Sequence, residues 1–341
     1  MSSAVEPTVF VAQTDLAWYR YLASRAEESG RAEESGRADE NRRADENRRV
    51  DEVVFWSPSA TTPLLASLRP GDPVFLRLKS PVNAIAGYGF FASFSRLHLE
   101  QAWEWFSWRN GCEDFVAYLR RIGAYRKLDL TDPRAERAPV GCTILRDTFF
   151  WPRERWIPWG EERGWSRNIV RGRRETDPEN RSLLLAEVQY DHLPEDLSPE
   201  PFVPLDVDER AWVEARAVRR EGQGAFRTRL LEAYGHQCAI TGEHTEPVLD
   251  AAHIQPYLGP RSNHPQNGLL LTKEFHTLFD LGFVTVTPEY EVRISPRLRT
   301  EWDNGHRYYP HDGQRLVVLP GEAERPSPEV LAWHGEKVFK G

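Results

Sequence analysis

Between Val248 and Asp280 the chain carries two short apolar runs, a proline-rich loop between them, and a helix signal directly after the second run. The runs Val248 to Ile254 and Gly268 to Leu271 have the length and bounding residues of strands. The loop carries Pro256, Gly259, Pro260 and Pro265, which punctuate a connection rather than continue an element. From Thr272, in N-cap position, the spacing of Phe275, Leu278 and Phe279 predicts a short amphipathic helix. The segment is therefore constrained to a β-β-α unit.

On that helix His276 and Asp280 lie one turn apart on one side, so an imidazole and a carboxylate can grip one divalent cation. Nitrogen and oxygen donors suit Mg²⁺, Mn²⁺ or another first-row metal, with water and a phosphate oxygen in the remaining positions. His253, at the end of the first strand, would face the metal, and a neutral imidazole there can take a proton from water.

The motifs Cys238-Ala-Ile-Thr-Gly242, Ala251-Ala-His-Ile254, Asn267-Gly-Leu-Leu-Leu271 and His276-Thr-Leu-Phe-Asp280 resemble the HNH, or ββα-metal, endonuclease family. The resemblance spans roughly Ala225 to Trp333. It implies that His253 is the general base, that Asn267 holds the His253 ring through a hydrogen bond, and that His276 and Asp280 bind Mg²⁺ or Mn²⁺. It also implies hydrolysis of DNA to a 5′ phosphate and a 3′ hydroxyl. Many relatives place a metal-binding Asp or His directly before the base, where this chain has Ala252; Asp250, on the same strand face in ideal alternation, is the candidate substitute. Many also carry two Cys-x-x-Cys pairs for zinc. This chain has neither, so no structural zinc is expected.

A length of 341 residues accommodates two domains. Three scattered cysteines, Cys112, Cys142 and Cys238, argue against a disulfide framework and fit a reducing cytoplasm. No apolar run approaches a membrane span, and no secretory signal opens the chain, so a cytoplasmic location is expected. The net charge of −8 runs against the basic footprint of a nucleic-acid binder, so any phosphate-binding surface must be local. Arg216, Arg219, Arg220, Arg227 and Arg229 cluster before the β-β-α unit, and Arg293, Arg297 and Arg299 after it; solvated helix faces explain them equally well. Arg227, Arg229, Arg261 and His264 are the candidate DNA contacts. His244, His306, His311 and His334 read as surface or turn residues.

Upstream, a strand over Val9 to Gln13 leads into a helix from Asp15. Four hexads follow, RAEESG at Arg25 and Arg31 and RADENR at Arg37 and Arg43, with alanine as their only apolar residue. Such a tract cannot build a core. Residues 24–50 read as a length-variable insertion, with a charged helical extension as the alternative. Short strands interrupted by helices then suggest a small β-barrel. Leu68-Arg-Pro-Gly-Asp72 and Ile85-Ala-Gly-Tyr-Gly-Phe-Phe91 resemble PUA-like barrels, the superfamily of EVE and ASCH domains. That resemblance implies binding of RNA, or of DNA with a modified base flipped into an aromatic pocket, for which Trp56 and Tyr88 are the candidates.

The expected organisation is α+β: a PUA-like reader over 1–193, a proline-containing linker over 194–212, a helix over Asp208 to Arg220, and an HNH domain over 213–341. A reader ahead of a nuclease resembles a modification-dependent restriction endonuclease directed at cytosine-modified phage DNA. Dimerisation would let two active sites cut both strands. The alternatives are a non-catalytic binding module with a remnant HNH fold and a sequence-specific homing-type nuclease.

Overall fold

A computed structural model describes residues 7–34, 48–57, 68–130, 132, 135–166, 171–190, 193–197, 201–205 and 222–341. The chain divides into two compact units, Met1–Pro194 and Glu195–Gly341. The expected helix over 208–220 and the cluster Arg216, Arg219 and Arg220 lie outside the described residues.

The first unit is a mixed sheet with helices on it. Its elements are β1 (Phe10–Thr14), α1 (Leu16–Glu34), β2 (Arg49–Ser57), β3 (Pro73–Leu78), β4 (Ala84–His98), α2 (Leu99–Phe106), α3 (Phe115–Arg126), β5 (Pro139–Phe150), β6 (Ile157–Pro158), β7 (Arg173–Arg174) and α4 (Pro178–Leu185). The strand order is β2-β5-β4-β3-β1-β7, with β6 on β4, and β1 runs parallel to β3. Among the described residues the pairings form one path with two ends, so the closure expected of a barrel is not among them. Gly87 and Gly89 serve close approach: a Cβ on Gly87 would lie 2.0 Å from the Phe149 carbonyl oxygen, and one on Gly89 2.5 Å from Thr148 Oγ1. Next to them β4 slips register against β5 twice, which is how a long strand bends.

Helix α1 covers the sheet. Trp18 Nε1 donates to the Val54 carbonyl at 3.1 Å, and the Tyr19 hydroxyl lies 2.9 Å and 2.7 Å from the Ala86 and Trp151 carbonyls. The helix runs on to Glu34, so the first hexad and part of the second are helical, and Ala26 is wholly buried in the core cluster. The helical alternative therefore holds at this end of the repeat, because alanine at the right turn of a helix adds to a core that the charged residues leave. The rest of the repeat lies outside the described residues.

The second unit contains α5 (Gln223–Ala233), β8 (Leu249–His253), β9 (Gly268–Thr272), α6 (Lys273–Asp280), β10 (Val284–Val286), β11 (Val292–Ile294), α7 (Arg297–Trp302) and α8 (Pro328–Lys337). β8 and β9 are antiparallel, with His253 opposite Gly268. α5 buries Phe226 and Leu230, with Tyr234 buried at its end, and Gly268 lets β9 come down onto it: a Cβ there would lie 2.5 Å from Leu230 and 2.8 Å from Phe226. The Cys-Ala-Ile-Thr-Gly turn is fastened to β9 by Ala239 N, which donates to the Leu270 carbonyl at 2.8 Å. Part of the expected linker packs in this unit. The backbone N–H of Phe202 donates to Gln266 Oε1 at 2.7 Å, and that of Leu205 to Gln255 Oε1 at 2.8 Å.

Thr272 stands at the N-cap of α6, but its hydroxyl does not cap it. The other end is braced by His334, read from sequence as a surface or turn residue. It is 1 % exposed, its ring stacks on Phe279 at 3.8 Å, and its Nδ1 lies 2.8 Å from Thr285 Oγ1. Burial holds the ring neutral and lowers its pKa to about 4. An unfolded histidine takes up a proton near pH 6.5, so between pH 6.5 and 4 the unfolded chain binds one more proton than the folded one. Stability present above pH 6.5 is accordingly lost as the pH falls through that window, by roughly 2–3 kcal/mol. Urea unfolding of wild type and His334→Phe across pH 4–7 measures it; the variant is expected to show a flatter acid limb.

Candidate active site

The β-β-α unit walls a cavity of about 360 Å³, and Arg227, Asp250, His253, Tyr257, His276 and Asp280 all line it. The fold brings them there by separate routes: α5 supplies Arg227, β8 supplies Asp250 and His253, and one side of α6 supplies His276 and Asp280. Ala252 is wholly buried and does not line the cavity.

The His253 ring lies flat on Phe226, with centroids 4.1 Å apart and planes at 11°, and Tyr257 meets its edge at 6.2 Å. Its Nε2 is 3.1 Å from the amide oxygen of Asn263. An amide oxygen only accepts, so Nε2 carries the proton and Nδ1 the basic lone pair of the neutral ring. The ring-holding partner expected from the sequence was Asn267, and the structure corrects it. Asn267 is wholly buried; its Oδ1 accepts from Gln255 N at 2.8 Å, and its Nδ2 donates to the carbonyls of Gln255 at 3.0 Å and Ser262 at 2.9 Å. It therefore fixes the loop that follows His253, while Asn263, carried by that loop, meets the ring. Neither Asn263 nor the Phe226 stack was identified from the sequence, because a loop asparagine and an amphipathic-helix phenylalanine carry no periodic signal of such a role.

His276 is held at both nitrogens. Its Nδ1 is 2.9 Å from Asp250 Oδ2, and its Nε2 is 3.3 Å from Asp280 Oδ2. The other oxygen of Asp250 accepts from Arg227 at 2.6 Å. Burial alone would lower the His276 pKa, but the two carboxylates overcome it and raise it to about 9. Burial likewise opposes ionisation of Asp250, yet His276 and Arg227 hold it at about 2.

The donor set fits a divalent cation at one place. His276 Nε2 and the Asp280 carboxylate face each other, whereas Asp250 sits on the opposite ring nitrogen. The three therefore do not converge on one point, and among the described residues no group of three or more His, Cys, Asp or Glu side chains is arranged to hold a metal. Two protein donors leave the remaining positions to water and substrate, as a hard cation prefers.

The expected DNA contacts divide. Arg227 is in the cavity but engaged by Asp250. Arg229 is a packing residue, its side chain 9 % exposed and donating to the Asp196 carbonyl at 2.6 Å. Arg261 is exposed and paired with Glu195 at 3.0 Å. His264 is buried, stacked on Phe202 at 6.1 Å, and its Nδ1 accepts from Gln266 N, so it does not face solvent. The positions of Arg229, Arg261 and His264 follow from their contacts with Asp196, Glu195 and Phe202, which spacing along the chain does not encode.

In the first unit Tyr88 is core. It is 1 % exposed, stacks on Phe149 at 5.0 Å, and its hydroxyl accepts from Gln189 N at 2.9 Å. The cavity beside it holds about 10 Å³, room for one water and not for a base. Trp56 is half-buried at the end of β2, edge-on to Tyr125 at 5.5 Å, and its indole N–H has no hydrogen-bond partner among the described residues.

Residues 238–287 match the family model described as HNH endonuclease. The second unit therefore carries an HNH endonuclease segment. Among solved structures, an ASCH protein from Zymomonas mobilis is 12% identical with a TM-score of 0.32, over 53% of this chain and 96% of that one. A point mutant of the same protein is 13% identical with a TM-score of 0.29, over 53% and 99%. A modification-dependent restriction endonuclease, TagI, is 13% identical with a TM-score of 0.22, over 88% and 78%. Likenesses at these TM-scores decide nothing about this chain. A search of curated proteins gave no match. No helix among the described residues is long and apolar enough to cross a membrane.

Proposed function

We propose that the chain is a divalent-metal-dependent DNA endonuclease of the restriction type, directed to cytosine-modified DNA. In this reading residues 1–193 select the DNA, 194–212 link, and 213–341 cut. The observation that carries it is the shared cavity in which His253, His276 and Asp280 meet. His276 and Asp280 would hold Mg²⁺ or Mn²⁺, which when bound supplies positive charge to a phosphodiester as its leaving oxygen departs.

The chain's own residues do the rest. The Phe226 stack and the Asn263 contact fix the His253 plane, so that Nδ1 can take the proton of a water attacking phosphorus. Asn267 keeps the loop carrying Asn263 in register with β8. Trp56, half-buried at the end of β2, is the aromatic of the first unit assigned to reading the base. Tyr88 does not enter that reading.

Matched plasmids bearing cytosine, 5-methylcytosine, 5-hydroxymethylcytosine or glucosylated hydroxymethylcytosine, incubated with Mg²⁺ or Mn²⁺, test both halves. Cleavage confined to a modified plasmid is expected. Equal cleavage of all four would remove the reader, and cleavage of none would remove the nuclease.

A further inference from the structure

We infer that Asp250 is a positioning residue that acts through His276: it fixes which ring nitrogen is presented to the cavity, and Arg227 in turn fixes Asp250. This rests on the nuclease reading above and assigns residues within that site.

A histidine can offer a metal only a nitrogen without its proton, and the partner of the other nitrogen decides which one that is. Asp250 Oδ2 lies 2.9 Å from Nδ1 and the more exposed Asp280 Oδ2 3.3 Å from Nε2, so the closer, more enclosed carboxylate keeps the Nδ1 proton when the ring gives up the other and offers Nε2. The second Asp250 oxygen is closed by Arg227 at 2.6 Å, and the backbone N–H of Ala251 also donates to it at 3.1 Å. Three donors from a helix, a strand and a second helix thus leave this carboxylate little freedom to rotate. Such restraint is what a second-layer partner needs, and it places Asp250 behind the ring. The side chains of Asp250 and His276 are about equally enclosed, at 21 % and 22 % exposure, whereas Asp280 is 57 % exposed and open to incoming water or substrate. This also accounts for Arg227, expected from sequence to contact DNA.

The test uses the full-length chain and two readouts. The first is the ¹⁵N spectrum of the His276 ring in metal-free protein at a pH where the ring is neutral. The second is calorimetric titration with Mn²⁺. In wild type the proton is expected on Nδ1. In Asp250→Ala it is expected to move to Nε2, toward Asp280, with Mn²⁺ affinity falling by about 10- to 100-fold. Asp250→Asn keeps an oxygen that can accept from Nδ1–H, so most of the tautomer preference should return. Arg227→Gln should weaken Mn²⁺ binding less than Asp250→Ala.

A wild-type proton on Nε2, or an Asp250→Ala ring that keeps its proton on Nδ1, would overturn the assignment. So would loss of Mn²⁺ binding in Asp250→Asn with the Nδ1–H tautomer intact, since Asp250 would then be a ligand. The spectrum needs neither metal nor DNA. A wild-type chain that binds no Mn²⁺ would count against the nuclease reading, while the spectrum still decides the role of Asp250.

Discussion

His253→Ala is expected to lower metal-dependent cleavage of the preferred plasmid by about 10²- to 10⁴-fold, the usual contribution of a positioned general base. Mn²⁺ affinity should stay within a few-fold of wild type, because the donors that would hold the ion are His276 and Asp280, while the His253 ring stacks on Phe226 and its Nε2 meets Asn263. Single-turnover cleavage and calorimetry on the same preparation separate the two. A variant that cuts at the wild-type rate would remove His253 from the chemistry. One that loses Mn²⁺ binding in parallel would make it a ligand. Loss of the stack on Phe226 leaves a gap at the cavity wall, so a thermal melt belongs with the measurement.

The second large effect is on stability. Asn267→Ala removes one acceptor and two donors from backbone groups of Gln255 and Ser262 in a wholly buried setting. Each of the three orphaned groups costs about 1–3 kcal/mol, which makes a loss of roughly 3–9 kcal/mol the expectation. The melting transition of the second unit should move down by on the order of 10 °C, and cleavage should fall with it as the loop bearing Asn263 loosens. Asn267→Asp keeps an acceptor for Gln255 N but sets a carboxylate oxygen against two carbonyls, so it should recover little. Unchanged melting with lost cleavage would return Asn267 to the role of holding the His253 ring.

The β-β-α unit is legible in the sequence because its signals are local. Two apolar runs, a proline-rich loop and the period of Phe275, Leu278 and Phe279 each report on backbone geometry within a few residues. The i, i+4 placement of His276 and Asp280 is equally local, and the two do face each other. The two glycines Gly87 and Gly89 are local signals of the same kind, since the Phe149 carbonyl and Thr148 occupy the space that side chains would need.

What could not be read depends on contacts far apart in the chain. Asn267 and Asn263 are both loop asparagines, and only the folding of the loop back on β8 decides that one holds backbone and the other meets the ring. Arg227, Arg229 and Arg261 are alike as sequence, yet Asp250, Asp196 and Glu195 give each a different partner. Tyr88 and Trp56 were indistinguishable as pocket aromatics until β5 closed over one and left the other half-buried. Sequence alone determined the elements of this site and the side chains they offer, since periodicity, turn residues and side-chain type act over a few residues. Tertiary structure alone decided which charged and polar groups face the cavity, because a hydrogen bond between residues 26 apart, such as Asp250 to His276, is set by packing and not by spacing.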